Sequence, residues 1–225
     1  MSQRLIELLL DALTETLAMV GVSGLLATLF GVPLGILLLV TGPGHILPRP
    51  LFNRIAGLVV NATRSTPFII LMVGIIPLTR ALVGTSIGTA AAIVPLVIAA
   101  TPFVARQVEA ALREVDPGLI EAAQAMGATP LQIVAKVLVP EALPGIAVGL
   151  TITVVSLIGY SAMAGAVGGG GLGDLGIRYG YQRFQGEVML AVVVVLILLV
   201  QGVQSLGDGF ARRLDRRHRA VEPPR

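Results

Sequence analysis

The sequence predicts an all-α polytopic membrane protein: five transmembrane helices with a two-helix cytoplasmic hairpin between the third and fourth. Composition is the first reason. Of 225 residues, 55% are hydrophobic and only 13% charged, with a mean hydropathy of +0.88, too little polar surface to coat a soluble core. The second is a series of uncharged runs at 16–48, 65–79, 81–105, 142–173 and 188–207. A helix needs ~20 apolar residues to cross ~30 Å of hydrocarbon, and the second run reaches that length only by taking in residues 56–64 and Arg64. The third is a polar, well-punctuated segment, 116–140, between the third and fourth runs.

Taken in order, residues 1–15 place Arg4, Glu7, Asp11 and Glu15 on one helical stripe, with Leu5, Leu9 and Leu13 repeating every fourth position. That amphipathic pattern predicts a helix lying on the membrane interface. The acidic residues and the lack of a small-residue cleavage site argue against a secretory signal, so this segment is expected to be retained. Residues 16–211 are then the transmembrane domain. In the second span Arg64 has two readings: an anchor whose long side chain reaches the headgroups, or a contact in an aqueous path or with an energising partner.

The segment 116–140 carries two helix starts. Asp116-Pro117 pairs an N-cap aspartate with a proline at N1, where no backbone donor is lost,. Gly127 suits the end of that helix. Thr129-Pro130 with Gln132 has the capping-box spacing, and the second helix is expected to run toward Val139, before Pro140 and Pro144 open the fourth span,. Nine glycines between 159 and 180 rule out a regular helix through the end of the fourth span, since each interior glycine costs ~1 kcal/mol relative to alanine. Irregular backbone at membrane depth survives only beside protein or a wet cavity. Tyr160, Ser161 and Met163 in this stretch are therefore candidates for lining and gating a path. Residues 212–225 form a basic cytoplasmic tail.

Basic residues near spans stay cytoplasmic. With five spans and the C-terminus inside, twelve of the sixteen Lys and Arg residues fall on the inner side and four outside. This puts the N-terminus outside and the hairpin in the cytoplasm.

Several chemistries are excluded. There is no cysteine and the two histidines, His45 and His218, are isolated, which leaves no disulfide and no expected metal site or cofactor. The letters of a dinucleotide fingerprint at Gly168, Gly170 and Gly173 lack a preceding strand,. Gly21-Val22-Ser23-Gly24 echoes an intramembrane serine nucleophile, but no histidine lies in a span to activate it,. Aromatics at 4% leave no stacking platform for nucleic acid, so the clustered arginines suit membrane lipids. No phosphate loop is present, and Lys136 is the sole lysine, so the chain is not expected to be an ATPase or any other enzyme. A passive channel or carrier stays open but gives no reason for a capped hairpin.

Glu121-Ala122-Ala123, three residues, Gly127, nine residues, then Val137-x-Val139-Pro140 resembles the EAA motif of the membrane subunits of ATP-binding-cassette importers, with valine at both aliphatic positions. TRSTPFIILM (63–72), VGTSIGTAAAIVPL (83–96) and GYSAMAGAVGGGGLGDLG (159–176) extend the resemblance, over about 20–213, to the permeases of methionine importers. The resemblance implies a type I importer permease fold and a homodimer paired with two copies of a cytoplasmic ATPase and fed by an extracytoplasmic binding protein. It also implies coupling through Glu121, Ala122, Ala123, Gly127, Pro130 and Pro140, and transport of D- or L-methionine. No residue here reads a thioether, so another small amino acid or related solute is the alternative.

Overall fold

The computed structural model describes residues 3–215, and among them every regular element is helical. The first, α1 (Gln3–Val40), runs 38 residues without a break at 15–16. Residues 3–15 and the first apolar run thus form one continuous rod. Along it the stripe of Leu5, Leu9 and Ala12 packs against Leu172, Leu175 and Val188, while Ile6 and Leu10 stay exposed.

The most extensive packing is between α1 and α5 (Thr89–Arg113). Ala27, Gly31 and Gly35 recur once per turn along the buried face of α1, and such small residues let membrane helices approach backbone to backbone. A Cβ on Gly35 would stand 2.5 Å from the Ala105 carbonyl oxygen. Beyond α1 the chain folds over its own end: Leu47 N–H donates to the Val40 carbonyl (2.9 Å) and the Asn53 side-chain amide to that of Leu38 (2.6 Å). Carbonyls that a helix end would leave orphaned are satisfied this way.

The second span is not the single rod that the uncharged run suggests. α2 (Pro50–Ser65) and α3 (Phe68–Gly74) meet at 105°, and α4 (Ile76–Val83) follows. Pro67 is the physical reason, because it bars Thr66 from helical geometry; Thr66 is extended, with φ −84° and ψ 125°. Among the described residues four helices are long and apolar enough to cross a membrane, and the bent pair makes a fifth if it crosses as one broken span.

After α5 come α6 (Pro117–Ala125) and α7 (Pro130–Ile133). The second hairpin helix does not end before Pro140: α7 passes through a π-helical turn at 134–138 directly into α8 (Val139–Gly165). In that widened turn Val139 N–H reaches back to the Val134 carbonyl, and the following proline enters without breaking the rod. The glycine-rich stretch does break it. α8 stops at Gly165, residues 166–170 are irregular, and α9 (Gly171–Leu175), a π-helical turn at 176–181 and α10 (Gly186–Leu214) complete the chain. Of the expected tail, Arg212 and Arg213 close α10, and residues 216–225 lie outside those described.

Two ends of the bundle emerge. At one, the loop 41–49 lies against the hairpin, and Asp215 shares a hollow with Glu114 and Glu141. At the other, the start of α1 meets the start of α10, and Gly88 N–H donates to the Gly168 carbonyl (2.8 Å). There the glycine loop is held by α1: the Glu15 carboxylate accepts from Gly171 N–H (2.6 Å) and the Thr16 hydroxyl from Leu172 N–H (2.9 Å).

Candidate functional site

The hairpin is built as its sequence specifies. The Asp116 carboxylate accepts from Gly118 N–H at 2.8 Å, seating Pro117 at N1 of α6. At the other end Gly127 adopts φ +78°, a left-handed conformation that favours glycine, and Ala128 N–H closes back on the Ala123 carbonyl at 3.0 Å,. The capping box of α7 is complete: Thr129 N–H donates to Gln132 Oε1 (2.9 Å), and Gln132 N–H to Thr129 Oγ1 (3.4 Å). The cap donors at Gly118, Ala128, Thr129 and Gln132 thus all have acceptors, which stabilises the short helix ends.

The expected coupling residues divide into two faces. Glu121 and Ala122 are exposed, whereas Ala123 is 4% exposed and packs in the core that includes Ile133 and Leu138. Ala123 therefore closes the hairpin on its own chain and leaves Ala122 to the outside. Pro130 opens α7, and Pro140 lies exposed in the first turn of α8. Met126 and Leu131, at 81% and 77% exposure, put large apolar groups on the outer surface of the hairpin. Glu121 also borders a hollow of about 420 Å3 between α6 and the loop holding His45 and Ile46.

The three expected path residues part company. The Tyr160 ring stacks on Phe68, with centroids 4.8 Å apart and planes 10° from parallel. Met163 is 48% exposed on α8. Ser161 is buried, and its hydroxyl donates to the Ile158 carbonyl at 2.8 Å; it faces the core, so it does not line an opening at the surface of this chain.

One group escaped sequence reasoning. The Glu109 carboxylate, buried on α5, accepts from Arg106 Nη1 and Arg113 Nη2, both at 2.6 Å. Arg106 Nη2 also donates to Asn61 Oδ1 on α2 at 2.9 Å. The i+3 and i+4 spacings were readable as helix pairs; the tie to α2 depends on a contact 45 residues away. This network fixes α2 to the end of α5 that leads into the hairpin.

The family model described as binding-protein-dependent transport system inner membrane component matches residues 31–220. The chain belongs to that family. Among relatives of this inner-membrane component, the "Probable D-methionine transport system permease protein MetI" of Vibrio cholerae is 57% identical over 211 residues, 94% of each chain. The "D-methionine transport system permease protein MetI" of Escherichia coli is 56% identical over 165 residues, covering 73% of this chain and 76% of that one. A solved structure of inward-facing conformations of the MetNI methionine ABC transporter superposes with a TM-score of 0.94 at 53% identity, over 96% of this chain and 100% of that chain. An amino acid ABC transporter crystallised with histidines shares the fold, with a TM-score of 0.76 at 21% identity over 92% and 94% of the two chains.

Proposed function

We propose that this chain is the membrane-spanning permease of an ATP-driven methionine importer, passing D- or L-methionine delivered by an extracytoplasmic binding protein. The observation that carries this reading is the near-complete superposition on a methionine transporter chain at 53% identity. It is a multi-pass inner-membrane protein and not an ATPase; hydrolysis belongs to a separate subunit. Two copies of the permease work with two copies of that ATPase.

In this reading the N-terminus is outside, the C-terminus cytoplasmic, and the capped knuckle 116–138 seats in a cleft of the ATPase. Glu121 offers a carboxylate to an arginine across the joint, and the exposed Ala122, Met126 and Leu131 supply the apolar contact. Since α7 runs without a stop into α8, a push on the knuckle is delivered to the helix that carries Tyr160 and Met163. Closure of the ATPase then shifts the pair of permeases between inward-facing and outward-facing states, each favoured by a different nucleotide occupancy. Met163, turned out from its own core, meets its counterpart on the axis of the pair as a flexible apolar plug.

The test is reconstitution of permease, ATPase and binding protein in vesicles. Binding protein loaded with methionine should stimulate ATP turnover together with uptake. Glu121→Lys and Gly127→Asp should keep the permease in the membrane and lower uptake per ATP; Met163→Ala should leak. Normal coupling in the first two variants refutes the role of the knuckle, and no methionine uptake by the wild type refutes the substrate.

A further inference from the structure

Arg64 is exposed in the last turn of α2. Its guanidinium lies 5.7 Å from the centre of the Phe103 ring, one turn before Arg106, whose own guanidinium is held by Glu109 and Asn61. A cation–π contact is worth only ~0.5–2 kcal/mol. Three ion pairs are formed among the described residues, and none involves Arg64.

The neighbours of Arg64 are specific. With Thr63, Thr66, Phe68, Phe103 and Tyr160 it walls a cavity of about 130 Å3 between α2, α3, α5 and α8, where a single water needs ~10–15 Å3. The two threonine hydroxyls donate to the carbonyls of Val59 and Ala62, leaving oxygen lone pairs. Neither the Tyr160 hydroxyl nor the Arg64 guanidinium has a hydrogen-bond partner among the described residues. The Arg64 and Tyr160 donors thus border a roomy, aromatic-walled space in which the side-chain acceptors are the lone pairs of two threonine hydroxyls, and none of these carries charge. What fits is an anion with two oxygens in a plane, since a guanidinium fork binds a carboxylate through paired hydrogen bonds.

We propose that Arg64 and Tyr160 form a transit site for the carboxylate of the transported solute, with Phe68 and Phe103 flanking its apolar part. This rests on the importer reading given above. The same guanidinium chemistry would take a lipid phosphate, but the cavity that Arg64 borders runs in between four helices to the Tyr160 ring, which favours a solute moving through the protein.

The experiment uses the full complex in phosphatidylcholine vesicles, with uptake of labelled methionine measured per ATP hydrolysed and per complex incorporated. Arg64→Gln should lower that ratio about tenfold or more, the loss expected for a hydrogen bond to a charged group, while binding-protein-stimulated hydrolysis stays within about twofold. Arg64→Lys should fall between, and Tyr160→Phe, which keeps the ring stack, should lose less. An unchanged ratio in Arg64→Gln overturns the site. Reduced incorporation with a normal ratio assigns Arg64 to lipid phosphate and also overturns it. A second readout needs no transport: saturation-transfer NMR on the detergent-solubilised permease–ATPase complex should show methionine binding that weakens in Arg64→Gln and with methioninol, which lacks the carboxylate. A wild type that imports no methionine yet shows this Arg64-dependent contact would sink the importer reading alone; methionine and methioninol binding equally would sink the site alone.

Discussion

Gly35→Ala is the substitution whose cost follows most directly from the packing. Its new Cβ would lie 2.5 Å from the Ala105 carbonyl oxygen, 2.8 Å from Val108 Cβ and 3.0 Å from Val108 Cγ1. The first of these is backbone, so no rotamer change relieves it. Restoring an ordinary contact requires α1 and α5 to part by roughly 0.9 Å, and a gap of that size forfeits a quarter to a half of each dispersion well along the seam. Overpacking costs ~1–3 kcal/mol, and an unyielding wall puts this case near ~3. Alanine recovers ~1 kcal/mol in helix propensity, leaving a net loss of ~2 kcal/mol. For a chain of this size that lowers Tm by ~4–8 °C, read by helical circular dichroism on the purified permease in detergent. Gly21→Ala is the control, because a Cβ there meets nothing within 4 Å on the same helix; its Tm should hold or rise. Gly35→Ala melting at or above the wild type, or Gly21→Ala falling as far, would refute the close-approach argument.

Gly127→Ala must hold φ +78° with a side chain, costing ~1–2 kcal/mol, and should raise hydrogen exchange at the Ala128 amide by about tenfold. Thr129→Ala opens the capping box at a cost of ~1 kcal/mol, seen as faster exchange at Gln132 with little change at Gly118. Glu109→Ala strands Arg106 against α2; because both arginines keep some solvent contact, the loss should be ~2 kcal/mol, below the ~3–5 of a fully buried pair, and Glu109→Gln should recover part of it in the same melting assay. Glu15→Ala should speed exchange at Gly171 while Leu172, held by Thr16, lags behind.

Local chemistry was legible wherever it is decided locally. Asp116, Gly127 and the Thr129–Gln132 pair act within a few residues of themselves, so spacing was enough to place them. The uncharged runs likewise found α1, α5, α8 and α10, because crossing a bilayer is a matter of length and composition. Pro67 carried a readable break signal that the run of apolar letters on both sides hid. Pro140 misled in the opposite direction: a π-helical turn absorbed it, and such a turn has no simple sequence signature. Leu5, Leu9 and Leu13 were read as an interfacial stripe, since nothing in their periodicity says whether protein or lipid will cover them. Ser161 was placed on the path by its neighbourhood, and only the rotation of α8 turns it inward. The cavity beneath Arg64 was the least legible, being walled by residues from four helices.

The grip of Glu15 and Thr16 on the glycine loop also constrains how the molecule is made. These acceptors leave the ribosome 156 positions ahead of the amides they hold, so the leading helix is inserted long before its latch exists. A deletion that removes the first turns and a stop codon ahead of residue 171 undo one joint from opposite ends of the gene.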